Sequence, residues 1–352
     1  MTRARLAARA LLDRLVRTAD VAALDAIASR WGRASARAVH PQRPPGIDSY
    51  GERVTASEAT EPQPQSAASR PGAEQPDPTT THPIAIVPAA LVSLSAVVLF
   101  AFLETIPGYV ILLSGVLGGV LTDRAGLSRR LGADLAVIGA SLTVISLTEL
   151  KADVSWAGVA RFTVVLGLAI VIPVVITRLI YKERSIAFPW RGGRWTRAQW
   201  TYVAVVIVAG YLILPVYFLG SGVYLNWPEL ADDGEILRFF LGVNAVGLWD
   251  ELFFICIVFT LLLRHFPLWV ANVLQATIFV SFLWELGYQS WGPLLTIPFA
   301  LVQGLIFKLS KRNLLYVVTV HLLFDVVVFL AIVAGRMPEL LWIFPLAAPL
   351  VG

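Results

Sequence analysis

Of the 352 residues, 57% are hydrophobic and only 15% charged, against about a quarter charged in ordinary soluble domains. That deficit excludes a cytosolic enzyme, and the apolar residues fall in blocks of about 18 or more, the length of a membrane-spanning helix. The net charge is +4, and the single cysteine, Cys256, excludes an intramolecular disulfide and a cysteine-based zinc site.

Residues 1–40 interleave eight arginines with alanine and leucine and carry three aspartates. This is not the apolar core of a cleavable signal peptide. Leu11, Leu12, Leu15 and Val16 share helical spacing, so the segment reads as a basic amphipathic helix on anionic lipid or as a solvated tail. Residues 41–82 are rich in Pro, Ser, Ala, Thr, Gln and Glu and nearly free of large apolar side chains. Such a composition buries too little surface to offset chain entropy and predicts a disordered linker.

From residue 83 the pattern predicts an all-α, polytopic transmembrane helix bundle of about nine spans. They fall near 84–105, 108–122, 133–150, 156–180, 201–219, 237–263, 268–287, 293–309 and 314–334. Residues 83–220 form an accessory set and 236–335 a core, followed by a short apolar tail at 336–352. Gly115, Gly118 and Gly119 predict close helix packing at the second span. Basic residues follow the even-numbered spans: Arg124, Arg129 and Arg130; Lys182, Arg184, Arg191, Arg194 and Arg197; Arg264; Lys308, Lys311 and Arg312. The loop after the fifth span holds Glu229, Asp232, Asp233 and Glu235. The positive-inside rule then sets the N-terminus in the cytoplasm, and a bacterial cell membrane is the expected location. Trp190, Trp195 and Trp200 beside a basic loop read as interfacial anchors; nucleic acid is not an expected partner.

A charged side chain at bilayer depth costs at least about 2.5–3.5 kcal/mol on insertion scales. Span six nevertheless holds Asp250 and Glu251, span seven Glu285, and span nine His321 and Asp325. His321 and Asp325 share a face at i,i+4. Asp250 and Glu251 diverge by about 100°, so one faces inward and the other supports it. Asn244 lies near the face of Glu251, and Thr277, Ser281 and Glu285 form a polar stripe on span seven. The economical arrangement is one buried polar centre joining spans six, seven and nine. Counted from the basic ends, Glu285 lies about 16 Å deeper than His321 at 1.5 Å per residue. Such a centre either activates water, with Asp250, Glu251, His321 and Asp325 as catalytic candidates, or binds a divalent metal through Glu285, His321 and Asp325. It also suits a proton relay, or merely locks helices together.

The motif order resembles the CPBP group of intramembrane proteases, which includes type II CAAX prenyl endopeptidases and bacteriocin-processing or abortive-infection proteins. That family shows EExxxR, then FxxxH, then HxxxN or HxxxD. This chain reads Trp249-Asp250-Glu251-Leu252-Phe253-Phe254-Ile255-Cys256, then Ser281-Phe282-Leu283-Trp284-Glu285, then His321-Leu322-Leu323-Phe324-Asp325. Glu251, His321 and Asp325 match outright. Asp250 stands in place of the first glutamate, Ile255 of the arginine, Ser281 of the phenylalanine and Glu285 of the histidine. The resemblance, over about 236–335, implies an endopeptidase acting on a membrane-associated or lipidated peptide, with membrane lipid around it and a divalent metal or no cofactor. An inactive relative acting as a binding or immunity-type partner, or a proton-coupled transporter, are the alternatives.

Overall fold

A computed structural model describes residues 81–190 and 192–350. The readings of 1–40, and of the linker up to residue 80, fall outside them. The described residues contain helices and no strand. Among the described residues, seven helices are long and apolar enough to cross a membrane: α1 (Pro83–Ala101), α2 (Thr105–Arg124), α4 (Trp156–Ile180), α5 (Arg197–Gly220), α6 (Asp233–Leu262), α7 (Leu268–Leu286) and α9 (Leu314–Arg336). Two shorter apolar helices, α3 (Leu131–Ile145) and α8 (Pro293–Leu309), complete the nine segments. The chain is a helical membrane protein. Helices span because each satisfies its own backbone in lipid.

Local chemistry sets the helix starts. Thr196 opens α5 with a capping box, accepting from Gln199 N–H while the Gln199 side chain accepts from its own N–H. Asp232 caps α6 through Glu235 N–H at 2.7 Å, and Asn313 caps α9 through Tyr316 N–H. The α3 segment ends at Ile145, short of the expected 150. The residues beyond it lead by a turn and a non-helical stretch to the Ser155 cap of α4.

The small residues of α2 act as expected. A Cβ on Gly115 would meet Val92 Cγ2 at 2.8 Å, and one on Gly119 would meet the Gly132 backbone at 3.0 Å. The backbones of α1, α2 and α3 approach closely because nothing stands between them. Elsewhere the core is aromatic. Trp249 stacks on Phe253 at 4.9 Å and donates its indole N–H to Leu166 O at 2.8 Å, tying α6 to α4.

The loops after α2, α4, α6 and α8 meet at one end of the bundle. Asp134, at the start of α3, accepts from Arg264 Nη1 at 3.1 Å and pairs with His265 Nε2 at 2.7 Å. Arg264 Nη2 also reaches Glu183, which pairs with Arg130. Leu314 N–H donates to Pro189 O, bringing the loop after α8 to the loop after α4. At the other end, Arg238 Nε donates to Val154 O and Asn226 to Gly287 O. The side-by-side grouping of the even-numbered loops read from charge is therefore physical.

Asp134 is 2% exposed, and its removal takes one acid from the half-buried Arg264 and the Nε2 partner from the buried His265. Asp134→Ala is expected to lower the unfolding free energy by about 3–5 kcal/mol. Cys256 is buried and is the chain's only thiol, so a maleimide dye added during a thermal ramp in detergent reads unfolding directly. A melting temperature within a degree of the parent would contradict the clamp.

Candidate active site

Helix α6 changes pitch at the site. Asp233–Asp250 is α-helical, and Glu251–Phe259 follows the wider π-helical i→i+5 pattern; the Thr260 hydroxyl donates to Ile255 O, five residues back. Such insertions recur at functional positions because they re-aim side chains without ending the helix. Here the change starts between the two adjacent carboxylates.

Asp250, Glu251, His321 and Asp325 are 3%, 1%, 4% and 5% exposed. His321 Nδ1 lies 2.7 Å from Glu251 Oε1. Its Nε2 lies 3.9 Å from Asp250 Oδ2 and 3.8 Å from Asp325 Oδ1. The imidazole is thus anchored at one nitrogen and open at the other. Phe299 of α8 meets the ring edge-on at 5.0 Å, with Phe279 of α7 at 6.5 Å. Glu251 Oε1 also accepts from Gln303 Nε2 of α8 at 2.7 Å. Asp250 Oδ1, Glu251 Oε2 and Asp325 Oδ2 are buried without a hydrogen-bond partner among the described residues.

A cavity of about 310 Å³ reaches this cluster. Asp250, His321 and Asp325 line it, whereas Glu251 and Gln303 stand behind the imidazole. Its other walls are mostly apolar, including Phe162, Leu166, Phe239, Phe299 and Phe324. Thr163 and Ala245, mid-helix on α4 and α6, line it and are exposed. The cavity is therefore open sideways between those helices and also at the loop end, where Asp153 lines it and is exposed. Gly247 makes room for the acids: a Cβ there would collide with Asp325 Oδ2 and lie 3.4 Å from His321 Cδ2.

Two lining groups outside the spans have shifted pKa values. Burial, and next the carboxylates of Asp325 and Asp250, hold the Tyr288 phenol well above its ordinary 10.0. It stays protonated and offers a hydroxyl to the cavity. Burial pushes Asp153 up, but hydrogen bonds from Ser155 and the charge of Arg161 outweigh it and hold the carboxyl below its ordinary 3.8.

The centre joins α6, α8 and α9, not spans six, seven and nine. Glu285 is apart from it. This residue lies one position from the end of α7, accepts from Leu150 N–H at 3.3 Å and lines a separate cavity with Glu104 and Glu149. The depth difference counted along the helices is the reason. Thr277, Ser281 and Asn244 bond to carbonyls of their own helices. The ligand set Glu285, His321 and Asp325 is consequently not assembled. Among the described residues no group of three or more His, Cys, Asp or Glu is placed to hold a metal ion, since Glu251 occupies Nδ1 and both aspartates stand wide of Nε2. Sequence reasoning passed over Gln303 and Tyr288. Gln303 is a fully buried amide on a spanning helix, which was the available signal; Tyr288, in a connector, gave none.

These features define a polytopic membrane protein with a carboxylate–imidazole centre facing a largely apolar cavity. Residues 232–327 match the family model of Rce1-like type II CAAX prenyl endopeptidases. The match runs from the cap of α6 to just past Asp325 and supports membership of the CPBP family of intramembrane proteases. No curated protein and no solved structure matches the chain.

Proposed function

We propose that the chain is a divergent intramembrane endopeptidase that hydrolyses a peptide bond of a membrane-associated or lipidated substrate. The observation that carries this is the cavity itself: Asp250, His321 and Asp325 converge on space that opens sideways between α4 and α6. Lipid and a membrane-associated peptide are the implied partners. The basic loops face the cytoplasm by the positive-inside rule.

The roles follow from position. Asp250 Oδ1, unpartnered and facing the cavity, takes a proton from water as the water oxygen attacks the scissile carbonyl carbon. His321 donates from Nδ1 to Glu251 and, as imidazolium, from Nε2 to the developing oxyanion. Asp325 and Glu251 balance its charge. The proton on Asp250 passes to the leaving nitrogen as the C–N bond breaks. Glu251 lies behind the imidazole and so acts as its support.

Ile255 is buried where the family carries arginine, and that favours a second reading, a binding protein built on the same scaffold. Purified protein in liposomes, offered a library of apolar and lipidated peptides with product masses recorded, separates the two. Cleavage abolished by Asp250→Asn supports the peptidase. Stable retention of one peptide without turnover supports the binder.

A further inference from the structure

We infer that Gln303 is a positioning residue, holding the Glu251 carboxylate so that His321 keeps its Nδ1–H anchored and its Nε2 turned to the cavity. Gln303 is fully buried on α8, and its Nε2 donates to Glu251 Oε1 at 2.7 Å. That same oxygen receives His321 Nδ1 at 2.7 Å. One carboxylate oxygen therefore takes both donors, while Glu251 Oε2 and Gln303 Oε1 have no hydrogen-bond partner among the described residues. A carboxylate held by a single donor pivots about its χ3 torsion, which is broad and two-fold. A second donor from another helix stops that rotation.

The geometry also accounts for Ile255. In the resembled motif an arginine on the same helix is the charge partner of the glutamate. Here that position is apolar and buried, and the donor comes from α8 instead. The amide supplies hydrogen but no charge, so the positive partner of Glu251 is the imidazolium itself. The other charged groups facing the ring are Asp250 on α6 and Asp325 on α9; α7 and α8 present Phe279 and Phe299.

Gln303→Met removes the donor and keeps the length. Gln303→Glu keeps the shape and donates only while its carboxyl is protonated. The chain has four histidines, and His321→Gln assigns the His321 signals in the nitrogen spectrum of ¹⁵N-histidine-labelled protein in detergent. Both Gln303 variants are first checked for parental melting by Cys256 labelling. Gln303→Met is expected to move the His321 Nδ1 signal. Hydrogen bonds to charged groups are worth about 1.5–3 kcal/mol, so kcat should fall about tenfold or more with KM little changed. Gln303→Glu is expected to recover turnover at low pH and lose it as the carboxyl ionises beside Glu251, a pH profile that a packing role does not produce. Unchanged His321 signals and kcat in Gln303→Met would overturn the inference. The kinetic arm rests on the peptidase reading. If the parent cleaves nothing, that reading fails while the nitrogen spectra still decide the role of Gln303.

Discussion

His321→Gln is expected to lower kcat for peptide hydrolysis by about 10³-fold, with KM within about threefold. A positioned acid or base contributes about 10²–10⁴-fold, and an oxyanion donor a similar amount. The ring is anchored to Glu251 through Nδ1 and turns Nε2 to the cavity beside Asp250 and Asp325. Glutamine fills similar volume and stays neutral, so it offers an amide but no cation. An interaction made mainly in the transition state shows in kcat and leaves ground-state binding alone. The apolar walls that would hold the substrate, such as Phe162, Leu166 and Phe239, are not touched by the change. Steady-state cleavage in liposomes measures both constants. A rise in KM with kcat intact would make His321 a substrate contact instead.

Gly247→Leu is expected to abolish turnover and to destabilise the fold by about 1–3 kcal/mol or more. The glycine sits on α6, three residues before Asp250, where a Cβ collides with Asp325 Oδ2 and stands 3.0 Å from its Cγ. Asp325 would be pushed from the face it shares with His321. Gly242, one turn and a half earlier on the same helix, also lines the cavity but has nothing within 4 Å of a built Cβ. Gly242→Ala is therefore expected to be neutral or to stabilise by up to about 1 kcal/mol, the helix-propensity difference. Parallel thermal ramps read by Cys256 labelling compare the two. Equal melting temperatures would show that the tight approach of α6 to Asp325 does not restrain the fold.

Hydropathy and loop charge sufficed for the bundle, because a spanning helix is written in consecutive residues. Nine segments and a common side for the even-numbered loops follow from length and from Lys/Arg placement alone. The expected start of α9 at 314 matches the structure, whereas α5 begins at Arg197, four residues before the expected 201, behind a Thr196 cap that hydropathy does not register, and α3 stops at Ile145 without a distinctive signal. The pairing of His321 with Asp325 was legible too, since i,i+4 fixes their common face. What sequence could not supply was the rotation and depth of one helix against another. The wider pitch beginning at Glu251 is not encoded in any local spacing rule, yet it accompanies the separation of Asp250 from Glu251. Glu285 looked like a member of the centre by residue type, and only its position along α7 excludes it. Gln303 enters from α8, a helix with no acid or histidine to draw attention to it.

In the proposed peptidase Asp250, not Glu285, belongs to the reacting centre. Asp250→Asn and Glu285→Gln, assayed side by side in liposomes against the same cleaved peptide, test it most directly. Asp250→Asn is expected to lose about 10²–10⁴-fold in kcat and Glu285→Gln to stay within about threefold of the parent. Full activity in Asp250→Asn, or loss in Glu285→Gln as deep as in His321→Gln, would contradict it.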